Sequence, residues 1–116
     1  MSDYIIWHNP RCSKSRQTLA LLQDRGIELE DVRYLETPPS KQQIKDALKK
    51  LGIPAIDLVR RGESAFKALA LSKDASEGEL IDAMSKEPVL IERPVVIHGD
   101  RAVLGRPPEN VLDLID

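Results

Sequence analysis

The apolar positions of the chain fall into short runs separated by clusters of Pro, Gly and charge. Residues 3–7, DYIIW, form a run of β-branched and aromatic side chains closed by Asn9-Pro10, which predicts a buried strand. From Ser13 to Arg25 neither Gly nor Pro intervenes. Leu19 and Leu22 share a face there with Ser15 and Ala20 nearby, and Gly26 stands where a left-handed cap belongs; a helix is expected, with Cys12 at its N-terminus. Residues 27–36, IELEDVRYLE, place Ile27, Leu29, Val32 and Tyr34 in rough alternation broken at Glu30-Asp31. They predict a second, less buried strand, ended by Thr37-Pro38-Pro39.

Ser40 and Gln43 then form a capping box. Ile44, Ala47, Leu48 and Leu51 keep helical spacing until Gly52 and Pro54 stop the helix. Two shorter helices follow, one around Ser64–Leu71 and one opened by the box Ser76/Glu79, carrying Leu80, Ile81 and Met84 and closed by Lys86 and Pro88. PVVIHGDRAVLG (94–105) gives two β-rich runs around Gly99-Asp100, the pattern of a type II′ hairpin. RPPENVLDLI spaces Val111, Leu112 and Ile115 along one face of an expected last helix. Strand, helix, strand, helical insert at about 40–88, hairpin, helix is an α/β order. It predicts a parallel strand-helix-strand unit extended by an antiparallel hairpin, a mixed four-stranded sheet flanked by helices in the thioredoxin-like layout.

Composition narrows the function. The 116 residues suit a single domain spanning 1–116, and no repeat or linker divides them. A formal net charge of −2 gives no global pull toward nucleic acid or anionic membrane. The N-terminal residues lack a leader's charged and apolar regions, and no apolar run approaches a membrane span, so a cytoplasmic protein is expected. One cysteine and two histidines fall short of a structural zinc site or an internal disulfide. Cys12 is then either a core filler or a reactive group.

Its setting favours reactivity, because Cys12 lies in a turn among Pro10, Arg11, Lys14 and Arg16 rather than on an apolar face. A free thiol, with pKa about 8.5, is mostly protonated at neutral pH, and shifting it down by two units requires about 2.7 kcal/mol in favour of the anion. A helix N-terminus contributes ~0.3–2 kcal/mol and a cation near 4 Å roughly 1–4 kcal/mol, so the two together are sufficient.

The stretch HNPRCSKSRQTL resembles the thiol loop of the glutaredoxin-coupled arsenate reductase (ArsC) family, matching at His8, Asn9, Pro10, Cys12, Ser15, Arg16, Thr18 and Leu19. LVRRG (58–62), ERPVV (92–96) and LGRPPE (104–109) are similar to three further signatures, so the resemblance runs along essentially the whole chain. It implies that Cys12 is the nucleophile, that Arg60, Arg93 and Arg106 bind the arsenate oxyanion, and that Pro94 occupies the cis-proline site of thioredoxin-like folds. Permanent charge and a planar fork of donors suit guanidinium to a tetrahedral oxyanion. His8 and Ser15 take supporting roles: His8 positions the thiol or bonds the backbone, and Ser15 donates to the sulfur or caps the first turn. Arg11, Lys14 and Arg61 contribute to the local field or to a docking surface for an acidic partner, and His98 is structural.

The family's chemistry further implies glutathione as co-substrate, glutaredoxin as partner, arsenite as product and no bound metal or organic cofactor. Two other readings stand beside it. Spx-type transcription regulators, which bind RNA polymerase, look similar along the chain but often carry a second cysteine three residues after the first, where Ser15 stands here. A glutathione-dependent thiol-transferase would use the same thiol on another substrate.

Overall fold

The computed structural model describes residues 4–72 and 74–115; Asp3 of the expected first strand lies outside them. The elements run β1 (Tyr4–Trp7), α1 (Ser13–Asp24), β2 (Leu29–Val32), α2 (Lys41–Leu51), α3 (Ala55–Leu58), α4 (Ser64–Ala68), α5 (Glu77–Lys86), a 3₁₀ turn (Pro88–Leu90), β3 (Val95–His98), β4 (Arg101–Leu104) and a 3₁₀ helix (Pro108–Leu114). They form two compact units. The first joins the chain up to Thr37 to the segment from Arg93 onward, and the second is the insert Pro38–Glu92.

In the first unit the strands lie in the order β2-β1-β3-β4, with β1 parallel to β2 and antiparallel to β3, and β3 antiparallel to β4. This is the thioredoxin-like sheet that the element order predicts. The register puts Tyr4, Ile6, Leu29, Val96 and Val103 on one face, where they pack with Leu19 and Leu22 of α1 and with Val111 and Leu114 of the C-terminal helix. Ile6, Leu22, Val96 and Val111 have no exposed surface, so this layer is a true core. Strand β2 is shorter than the alternation over 27–36 suggests, and its two central residues, Glu30 and Asp31, are exposed where the alternation breaks. Gly99 alone in the hairpin takes a positive φ, +61°, as a type II′ turn requires.

Helix α1 closes with paired backbone bonds, Gly26 N–H to Gln23 O (2.9 Å) and Ile27 N–H to Leu22 O (3.2 Å), with Gly26 at φ +75°. This is the Schellman arrangement. The expected last α-helix is a 3₁₀ helix instead. Its buried residues Pro108, Val111 and Leu114 recur every third position, which eclipses them on one side in 3₁₀ geometry; Leu112 and Ile115 are only partly buried.

In the insert, both predicted capping boxes form: Ser40 with Gln43 at the start of α2, and Ser76 with Glu79 at the start of α5. Helix α2 buries Ile44, Ala47 and Leu48, and α5 buries Leu80, Ile81, Ala83 and Met84. The single-turn helix α3 has no periodic signal in the sequence. Its first N–H, on Ala55, is bonded at 2.8 Å by the Glu77 carboxylate. Helix α4 stops at Ala68, short of the expected Leu71, in a second Schellman arrangement whose left-handed residue is Ala70 at φ +55°.

Candidate active site

The strand register sets up the site. Continuing each ladder by one residue past Trp7, Val32, Val95 and Leu104 brings Arg33, His8, Pro94 and Gly105 into a row across one end of the sheet. Two backbone bonds bear this out, His8 N–H to Val32 O at 2.9 Å and Gly105 N–H to Pro94 O at 2.9 Å. The loop carrying Cys12, the segment after β2, the Arg93–Pro94 link and the start of the Gly105–Pro107 segment therefore leave the sheet together.

Asn9 shapes the Cys12 loop. Its backbone O accepts the Cys12 N–H (3.0 Å) and its side-chain Oδ1 accepts the Arg11 N–H (3.0 Å), while Arg16 Nη1 braces the far side by donating to Pro10 O at 2.9 Å. Cys12 is thereby held extended (φ −94°, ψ 122°) as the N-cap residue of α1, and its thiol is free and half-buried. No side chain caps this helix and no acidic residue sits in its first turn. The positive end of the helix thus faces the space beside Cys12 with no side-chain cap among the described residues.

His8 and Ser15 are buried beneath the loop, with Nδ1 and Oγ 2.7 Å apart. Ser15 Oγ also accepts the Asn9 N–H at 3.0 Å. The hydroxyl is committed to His8 and to the loop backbone, and among the described residues it makes no bond to the sulfur. Burial holds the His8 pKa below its usual value of 6.5, with Asp31 pulling the other way and Arg33 and Arg16 adding to the depression. His8 is therefore a neutral ring at neutral pH, bound to the residue that holds the loop.

The Arg93–Pro94 and Arg106–Pro107 peptide bonds are both cis. Sequence reasoning singled out the first and missed the second. It also missed the junction between Thr18 and Gly105. Thr18, buried on α1, bonds through Oγ1 to Lys14 O (2.8 Å) and reaches Gly105 O (3.4 Å). A Cβ on Gly105 would stand 2.6 Å from Thr18 Oγ1 and 2.8 Å from Pro94 Cγ. Only glycine lets the Arg106 segment sit against both the Cys12 helix and Pro94. The one visible signal was a small residue breaking off a β-rich run.

Arg93 is half-buried, and its Nε is buried without a hydrogen-bond acceptor among the described residues. A buried guanidinium N–H without a partner is costly, and an anion relieves it. Arg106 is exposed and its backbone O accepts from Asn110 Nδ2 at 3.2 Å. The sheet thus brings Cys12, His8, Ser15 and Pro94 together with the backbones of Arg93 and Arg106. Arg60 belongs to the insert, where its Nη1 pairs with Glu63 at 2.9 Å and its Nε lies 3.7 Å from Glu92. Within that unit its charge is already answered by two carboxylates. His98 lies at the opposite end of the sheet, donating Nδ1–H to Leu114 O at 3.2 Å.

Among the described residues no cluster of three His, Cys, Asp or Glu side chains could hold a metal, and no helix is long and apolar enough to cross a membrane. A model of the ArsC family matches residues 7–114. The Escherichia coli protein YfgD, described as uncharacterized, is 49% identical over 95% of this chain and 94% of its own. An arsenate reductase of Haemophilus influenzae is 46% identical over 96% of this chain and 97% of its own. The structure of an arsenate reductase from Vibrio cholerae superposes with a TM-score of 0.93 at 43% identity, over 97% of each chain.

Proposed function

The chain belongs to the ArsC family, and from that premise we propose that it is an arsenate reductase whose nucleophile is the Cys12 thiolate. Arsenate enters against the N-terminus of α1 and is held by Arg93 and Arg106, with Arg60 assisting. The thiolate attacks arsenic and an oxygen leaves as water or hydroxide, giving a Cys12 thiol-arsenate adduct. Because the chain has one cysteine, the second thiol comes from solution. Glutathione attacks the adduct, two thiols are oxidised to a Cys12–glutathione disulfide, and As(V) leaves as arsenite, As(III). Glutaredoxin then removes the glutathione and restores the thiol. No resident metal or organic cofactor takes part, and the reaction belongs to the cytoplasm, where reduced glutathione is plentiful.

The observation that carries this reading is the uncapped α1 N-terminus at Cys12, on the loop that leaves the sheet at the same end as Arg93–Pro94 and Gly105–Arg106. The test is arsenate-dependent NADPH consumption with glutathione, glutaredoxin and a recycling reductase. Cys12→Ser is expected to abolish it. Arg93→Ala and Arg106→Ala each raise KM for arsenate by about tenfold or more, the scale of a lost charge-assisted bond. A well-folded wild-type chain that consumes no NADPH in response to arsenate sinks the proposal.

A further inference from the structure

We propose that the groove between the β1–α1 loop and the segment following β2 is the docking site for the peptide portion of the thiol that meets Cys12, a small peptide with two carboxylates and one ammonium. That is the charge pattern of glutathione. The inference rests on the reading of Cys12 as a reactive thiol and assigns its partner a seat.

The groove encloses about 240 Å³. Its floor is the His8 N–H to Val32 O bond, from which the two segments diverge. It therefore lies outside the carboxyl ends of two parallel strands. Pro10 and Arg11 form one wall, and Arg33, Leu35 and Glu36 the other. The walls carry two guanidinium groups and one carboxylate, with an apolar strip between. A peptide bearing two carboxylates and one ammonium is the complement of that set.

Details of the walls favour such an occupant. Arg33 Nε lies 3.5 Å from Asp31 Oδ2, and half of the arginine side chain is exposed, within reach of an occupant of the groove. The Arg11 backbone is fixed by Asn9 Oδ1, which holds the base of that guanidinium in place. Leu35 keeps 41% of its surface exposed on the rim, unusual for a large apolar side chain in this molecule. The volume is below the ~300–1,000 Å³ that encloses a drug-sized ligand, and it suits part of a tripeptide whose sulfur extends beyond the groove. Arg11, in the groove wall, is followed directly by Cys12, so the thiol stands one residue from this wall.

The test uses the full chain and disulfide probes, with no arsenate. Cys12 thiolate attacks one sulfur of glutathione disulfide. The S–S bond breaks, a Cys12–glutathione disulfide forms, and glutathione thiolate leaves and takes up a proton. The rate is followed by intact mass and compared with that for the uncharged bis(2-hydroxyethyl) disulfide. Arg33→Glu is expected to slow the glutathione disulfide reaction by about fivefold while leaving the uncharged one unchanged. Arg25→Glu makes the same charge change at the far end of α1, about 20 Å from Cys12 along the helix, and alters neither.

Equal slowing toward both disulfides, or the same slowing by Arg25→Glu, overturns the groove in favour of general reactivity or net charge. A wild type that reacts with the uncharged probe while Arg33→Glu matches it on glutathione disulfide also overturns the groove, leaves the reactive thiol standing, and points to a partner protein's surface as the occupant. A wild type inert to both probes removes the thiol reading and the groove together.

Discussion

At the scale of single residues, His8 couples the loop to acidity. Burial keeps its ring neutral in the folded chain, so below the usual value of 6.5 the unfolded chain binds the proton that the folded one resists. The contribution of His8 to stability is complete above that value and is lost as pH falls toward its depressed folded-state pKa. Urea unfolding between about pH 5 and 7 is expected to show this slope, and His8→Gln to flatten it. Asp82, held below its usual 3.8 first by the Lys41 hydrogen bond and then by that of Lys86, acts in a separate window: its contribution is present above 3.8 and lost in stronger acid. Gly105 is the steric counterpart. Gly105→Ala drives a methyl into Thr18 and Pro94, and is expected to cost about 1–3 kcal/mol in urea unfolding. It should also raise KM for arsenate beyond any effect of an equally destabilising core variant. Arg60 gives a third test. Glu63→Gln removes the closer of its two carboxylate partners, and if Arg60 assists arsenate, KM falls by up to about fivefold.

Among the elements, the helix ends carried the most readable chemistry. Two capping boxes and the glycine after α1 were legible because a cap is settled within four or five residues of sequence. The end of α4 shows the same geometry with the wrong residue. Ala70 holds a left-handed conformation, so Ala70→Gly is expected to stabilise the chain by about 0.5–1 kcal/mol, while Gly26→Ala at the matching position of α1 costs about as much; both are read by thermal unfolding. What escaped the sequence was of two kinds. Helix α3 is a single turn, too short for any period to register, and its cap comes from Glu77, more than twenty residues away. The C-terminal 3₁₀ helix reads equally well as an α-helix until the sheet selects Pro108, Val111 and Leu114 as the buried set. The place of Cys12 at the head of α1 was legible from the turn that carries it, while the arginine roles proposed above rest on the family likeness alone. The Thr18–Gly105 contact joins residues 87 apart and has no local signature at all.

Over the molecule as a whole, the sheet unit is assembled from both ends of the chain. Strands β1 and β3 pair although the entire insert lies between them, and the last helix completes the core over Ile6 and Val96. Leu114→Ala is accordingly expected to cost about 2–5 kcal/mol in urea unfolding, as for any fully enclosed leucine, though the substitution lies at the extreme C-terminus. Polarity follows from the same register. One end of the sheet carries the Cys12 loop, while at the other the Leu114 carbonyl takes bonds from Tyr4 hydroxyl (3.3 Å), His98 Nδ1 (3.2 Å) and Arg101 Nη2 (3.2 Å), with the Tyr4 and His98 rings stacked at 3.9 Å. A strand of four residues separates the two by about 13 Å. The sheet unit thus has two unlike ends, and a tether attached at Asp100, in the hairpin turn, sits at the end of the sheet away from the sulfur.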